Sequence, residues 1–311
     1  MGVFDRSTII GFTQEPDYKI VYENLENLTQ LLNNAMEDIS KKNPIVNSNF
    51  EIKAFNDFYN GAITPVSEID VFLVIKSPQI ELNTTKLVKN KFKSFWLRAK
   101  RAWLNTRSPR KRKKRLKKLT EQTVQEQIKG TYNIHSLCID LVNTISNYIS
   151  ALSVVSTTNA SVRIVGDDFT YAINIYPALQ RDGYYSVYNS GLNKFIDYDF
   201  ANREGNIISK FNRYPEKFLN LLRIYNMVYY NIYNTHTDQI YMESLLYNLP
   251  NRIFNSDDIY EVFIESINYF NNANLAEFYS VLDNSQMFKD GRIKSSIYDT
   301  LSFIKHIKNN L

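Results

Sequence analysis

The chain has one cysteine, Cys138, in 311 residues, which excludes internal disulfides and cysteine-built metal sites. No run of about 18 or more apolar residues occurs, so no membrane-spanning helix is expected. The N-terminal stretch MGVFDRSTIIGFTQEP lacks the charged-then-apolar order of a secretory signal. These absences predict a cytoplasmic protein. Gly2 alone resembles a lipidation site, because the required hydroxyl falls one position late, at Ser7. There is no G-K-[ST] triplet, which removes a P-loop, and no G-x-S-x-G elbow to support a serine hydrolase. His135, His236 and His306 are far apart with no cysteine cluster, so a zinc site is not expected and each reads as a packing or surface residue. What is present is a globular composition, 44% hydrophobic, long enough for two packed lobes or one large domain.

The basic residues are concentrated in one acid-free stretch. Between Lys86 and Lys118 there is no Asp or Glu, and sixteen of the chain's 37 Lys and Arg fall there. The other residues hold 21 basic against 32 acidic groups, so only this segment argues for a polyanionic partner. Val88, Phe92, Phe95, Trp96, Ala99 and Trp103 recur at helical spacing among Lys89, Lys93, Lys100 and Arg101, and the run Arg110, Lys111, Arg112, Lys113, Lys114 and Arg115 follows. Three readings stay open: a grip on RNA or DNA phosphates, an amphipathic helix lying on an anionic membrane, or an apolar stripe packed on the domain with its charges solvated.

Periodicity organises the rest. Asp17 to Lys42 predicts a long amphipathic helix, Phe50 to Phe55 a strand and Ile69 to Ile75 a buried strand. Glu121 to Leu152 predicts a second helix containing Cys138 as a buried small hydrophobe. Val162 to Val165 and Tyr171 to Tyr176 flank the turn Gly166-Asp167-Asp168 as a hairpin. From about Glu216 the pattern is helical. The expected class is α+β, with a mixed-sheet lobe at 1–205, carrying the basic insertion at about 86–118, and a helical lobe at 206–311.

Glu68 and Asp70 lie two apart at the start of a strand, so their carboxylates project to one face while Ile69 and Val71 enter the core. Alone, such a pair is usually a solvent-facing strand edge. It is also what nucleotidyl transfer requires, because paired acids hold magnesium or manganese about 4 Å apart. The order from Phe55-Asn56 through Ser67-Glu68-Ile69-Asp70-Val71, then Ile173-Asn174-Ile175-Tyr176-Pro177-Ala178, resembles the polymerase-beta superfamily of nucleotidyltransferases, nearest its cyclic-dinucleotide and oligoadenylate synthase branch. Leu221-Leu222-Arg223-Ile224-Tyr225 and Tyr241-Met242-Glu243-Ser244-Leu245 are similar to that branch's helical lobe, and the resemblance covers roughly residues 20 to 250 apart from the basic segment.

The resemblance implies a nucleoside triphosphate and two divalent ions held by Glu68, Asp70 and a third carboxylate, with an acceptor hydroxyl attacking the alpha-phosphate. It also marks departures. The Gly-Ser pair that cradles the triphosphate aligns with Phe55-Asn56, the third carboxylate with Asn174, and a phosphate-contacting lysine with Asn226. Asn56 can still donate to a phosphate, and Ser67 reads as either a turn residue or a triphosphate contact. Asn174 has the shape of an acid without its charge, so it is a weak ligand and no base. The tyrosines from Tyr225 to Tyr247 read as helix packing, with base stacking as the other use. The expectation is a protein that binds nucleotide and magnesium and transfers a nucleotidyl group if active, or a silent relative that binds nucleotide or RNA. Asp167 or Asp168 could replace the missing acid; turn formation is the simpler reading.

Overall fold

The computed structural model describes residues 3–42, 50–55, 62–65, 67–75, 134–157, 160–181, 184–189, 194–289 and 295–311. Asn56, the segment 86–118 and the run Arg110 to Arg115 lie outside them.

Among the described residues, eight α-helices and one seven-stranded sheet form the α+β fold expected. Helix α1 is Arg6–Gly11 and α2 is Tyr18–Lys42, whose buried Leu28, Leu32, Ala35, Met36 and Ile39 make the predicted stripe. Strands β1 (Phe50–Phe55) and β2 (Ile69–Ile75) follow, then α3 (Ile134–Ile145). Helix α3 ends earlier than its apolar period suggested: the side chains of Ser146 and Asn147 bond back to the carbonyls of Val142 and Asn143, where the chain leaves the helix for turns.

Strands β3 (Val154–Thr157), β4 (Val162–Val165), β5 (Ile173–Arg181), β6 (Tyr184–Asn189) and β7 (Lys194–Tyr198) complete the sheet. Its main path runs β1-β2-β5-β4-β3, with β6 added to β5 and β7 to β6. β2 and β5 are parallel; the other pairs are antiparallel. Pro177, which has no N–H, sits where the outer edge of β5 changes partner, after β4 has paired to Ile175 and before β6 pairs from Ala178. In the β4–β5 turn Gly166 has φ +147°, and a Cβ there would lie 2.3 Å from the Cα of Ser153.

As a central strand, β2 is covered on both faces, which explains its nearly unbroken apolar run. Ile69, Val71, Leu73 and Ile75 pack under α2 and α3 with Leu137, Cys138 and Leu141. Burial pushes the Cys138 thiol up to about 12, so it behaves as a small hydrophobe. Phe72 and Val74 face the other way, into a cluster with Phe55, Ala178, Tyr185 and Val187.

The remaining helices are α4 (Phe200–Phe211), α5 (Pro215–Tyr233), α6 (Gln239–Tyr247), α7 (Ile259–Asn272) and α8 (Ile297–Asn309). They share a separate core built on Phe218, Leu222, Tyr225, Tyr241, Leu245, Phe263, Phe270 and Phe303. Tyr225 and Tyr241 are buried, their hydroxyls bonded to Ser266 and Thr300, so these rings serve packing. Phe4 and Ile9 join this core, and the Phe4 N–H reaches the Asn310 carbonyl at 3.1 Å. Among the described residues no helix is long and apolar enough to cross a membrane.

Candidate functional site

Sheet register builds one polar row. Phe55 of β1 stands opposite Asp70 of β2, Asp70 opposite Asn174 of β5, and Asn174 opposite Arg163 of β4. Directly paired residues share a face, so Asp70, Asn174 and Arg163 converge. Glu68 joins them from just before β2. The loop that delivers it is fixed by a buried turn, in which the Thr64 N–H donates to Ser67 Oγ at 2.9 Å and the Ser67 N–H to the Thr64 carbonyl at 3.0 Å. Ser67 therefore works as a turn residue.

Asn174 touches both acids: its Nδ2 donates to Glu68 Oε2 at 2.6 Å and to Asp70 Oδ1 at 2.8 Å. Glu68, Asp70 and Asn174, singled out in the sequence, are thus brought together. Two further groups complete the site. Arg163 grips Glu68 with both terminal nitrogens, Nη1 to Oε2 at 2.6 Å and Nη2 to Oε1 at 2.5 Å, and its Nη1 also donates to Asn174 Oδ1 at 3.0 Å. His236 Nε2 lies 3.0 Å from Glu68 Oε1. It comes from the short connection in which α5 ends at a left-handed Asn234 and α6 is capped by Asp238, which sets the imidazole against the ends of the strands.

The charge balance at Glu68 follows. Burial opposes its ionisation, but hydrogen bonds from His236, Arg163 and Asn174 outweigh burial and hold the carboxyl well below the usual carboxylate range. Tyr176, two residues along the same face of β5, moves the other way. Its burial, then the negative charges of Asp70 and Glu68, push its hydroxyl up, so it stays protonated.

Other expectations resolve differently. Phe55, aligned with the phosphate-cradling glycine, is buried with its ring 3.9 Å from Phe72, where a glycine would have left the backbone bare. Asn226, aligned with the lysine, is buried between helices and donates to Gln239, which donates to Glu243, itself paired with Arg203. Asp168 accepts from the Ser150 N–H and the Ser153 hydroxyl, so its carboxylate serves the turn. Sequence reasoning passed over Arg163 and treated His236 as packing or surface. An alternating strand one register step from Asn174 carried a signal for Arg163; nothing local carried one for His236.

No protein-family model matches the chain, and no curated protein matches it in sequence. Solved structures match in three dimensions. A cyclic dinucleotide synthase, CdnE of Elizabethkingia meningoseptica, solved with GTP and Apcpp, aligns with a TM-score of 0.63 at 14% identity, over 98% of each chain. The chain has the nucleotidyltransferase fold. The CdnE c-UMP-AMP synthase of Rhodothermus marinus, with Apcpp and Upnpp, gives 0.59 at 13% identity over 98% of this chain and 97% of that one. CdnC of E. coli MS115-1, with ATP, gives 0.58 at 13% over 98% and 90%.

The nucleotidyltransferase fold raises the question of a divalent ion, and the donors present here do not fit one. Both Glu68 oxygens are engaged, the third-strand position offers an amide, and a guanidinium lies within 3.0 Å of Glu68 and Asn174. Among the described residues no three of His, Cys, Asp and Glu converge to hold a metal.

Proposed function

We propose that this chain is a nucleotide-binding protein on the nucleotidyltransferase fold that has given up efficient nucleotidyl transfer. The observation that carries this reading is Asn174, standing in register opposite Asp70 and donating to both acids. An amide cannot take a proton from an acceptor hydroxyl, and its N–H groups already satisfy the two carboxylates that the resemblance assigns to the reaction. Binding is supported by fold neighbours solved with GTP, ATP or nucleotide analogues. Glu68, Asp70 and Asn174 would line the cleft where the α5–α6 connection meets the sheet. A nucleoside triphosphate is the ligand class.

A second reading is favoured by the retained Glu68 and Asp70 on a fold shared with cyclic dinucleotide synthases: a transferase that makes a cyclic or linear oligonucleotide or modifies an acceptor. The basic stretch 86–118 supports a grip on RNA or DNA on sequence grounds. Such binding would weaken steeply from low to physiological salt.

One experiment separates the two readings. The protein is incubated with labelled ATP, GTP, CTP and UTP and magnesium or manganese, with and without RNA, beside an Asp70→Ala control. Retention of a nucleotide in equilibrium dialysis without product is expected. Product that disappears in the control would establish the transferase instead, and absence of binding to all four nucleotides would remove the nucleotide reading.

A further inference from the structure

The site carries a cation of its own. We propose that Arg163 is the resident cation of this cleft, occupying the seat between Glu68 and Asn174 that a divalent ion would need, so that the chain takes its nucleotide without divalent metal. The ligand half of this inference rests on the nucleotide-binding reading above; the exclusion of metal does not.

Backbone register comes first. β4 pairs antiparallel with β5 and β5 parallel with β2, so position 163 can only face the row that holds Asn174 and Asp70. An arginine at that position reaches Glu68 in the bidentate geometry for which guanidinium and carboxylate are matched. Arginine stays charged at every working pH, so this cation is not lost by titration, and it is not lost by dilution as an ion would be. A dication admitted beside it would face a fixed like charge at contact distance.

Asn174 then takes on a second meaning. Read alone it is a lost ligand, but with Arg163 it is the complementary one. Its Oδ1 accepts from the guanidinium while its Nδ2 donates to both acids. The reverse amide orientation would point a carbonyl at two carboxylate oxygens. An aspartate at 174 would bring a third negative charge to the oxygens of Glu68 and Asp70, an arrangement that needs a dication. Asn174 with Arg163 needs none. The two residues form one coherent set.

The guanidinium also keeps an open side. Arg163 is 42% exposed against 12% for Glu68. Of its five N–H groups, Nε and one on Nη2 are not engaged among the described residues, and His236, at 36% exposed, lies on the same carboxylate. A phosphate oxygen approaching from solvent meets these donors before it meets the acids.

The test uses the full chain. Mn2+ binding is followed by electron paramagnetic resonance for wild type and for the Arg163→Ala/Asn174→Asp double variant, and N-methylanthraniloyl-ATP binding is measured in EDTA and in magnesium. Wild type is expected to leave millimolar Mn2+ free, and the double variant to bind it at least about tenfold more tightly. Wild-type affinity for the nucleotide probe is expected to agree within about twofold with and without magnesium. Mn2+ binding by wild type as tight as by the double variant overturns the proposal, as does a double variant that folds but gains no affinity. Nucleotide binding that requires magnesium overturns it while leaving the nucleotide reading intact. No nucleotide binding in either condition removes that reading and leaves the Mn2+ comparison to decide Arg163. The wild-type measurements need no variant, so a misfolded variant does not leave the matter open.

Discussion

Two bidentate arginine–glutamate pairs occur in the described residues, one joining β4 to the residue just before β2 and one between helices. Arg203 donates to Glu243 through Nε at 2.7 Å and Nη2 at 2.5 Å, and the two side chains are 2% and 0% exposed. Arg163 holds Glu68 at almost the same distances, end-on through Nη1 and Nη2 instead of through Nε, but the arginine is 42% exposed. Sealed from water, the first pair can only hold α4 to α6, because nothing can reach it and removing either member strands a charge. The second sits where the α5–α6 connection meets the strand ends and still presents donors to solvent. Equal hydrogen bonding therefore marks a structural tie in one place and a candidate site in the other, and access by water is what separates them.

The largest effect should come from the sealed pair. Glu243→Ala leaves Arg203 buried without its partner and is expected to cost about 3–5 kcal/mol, read as a lowered urea midpoint. A loss no larger than that of Arg163→Ala would break the comparison. Arg163→Ala is expected to cost about 1–3 kcal/mol, since water can solvate what the variant exposes and Asn174 still reaches Glu68.

Acid should sharpen the contrast. Glu68 is held below its ordinary value of 4.5, so its contribution to stability is complete above that pH and is lost as pH falls below it. The groups facing it are Arg163, His236, Asn174 and, across the amide, Asp70. Denaturant midpoints of wild type should fall more steeply below pH 4.5 than those of Glu68→Gln, and parallel curves would show that Glu68 carries no such linkage. Asp5, Asp38, Asp168 and Asp299 shift in the same direction in both proteins and cancel in the difference.

The smallest effect belongs to an exposed helix end that makes no bond to either pair among the described residues. Ser296 and Asp299 form a reciprocal cap at the start of α8, and Ser296→Ala should cost about 1 kcal/mol with nucleotide binding unchanged.

Much of the fold was legible from local pattern, because apolar spacing alone requires a buried face. The α2 stripe and the β1 and β2 boundaries follow from it, and so does the shared face of Glu68 and Asp70. The strands β6 and β7 and the helix α4 were not foreseen: Tyr185 to Tyr188 of β6 are buried in succession, so no alternation marks that strand, and α4 is mostly polar, with Arg203 and Phe211 its buried residues. In α3 the period promised a longer helix than side-chain competition at Ser146 and Asn147 allows.

What the sequence by itself determined is the chemistry available: two acids two residues apart, an amide where the resemblance expects a third acid, and no cysteine cluster or P-loop. What only the tertiary structure decided is the company those groups keep. Arg163 meets Glu68 because β4 pairs with β5 in one register, and a shift of one residue would turn the guanidinium to the opposite face. His236 meets the same carboxylate from 168 residues away, through a helix connection whose position depends on the packing of two cores. Pairing over such separations follows from long-range geometry, which no local periodicity contains.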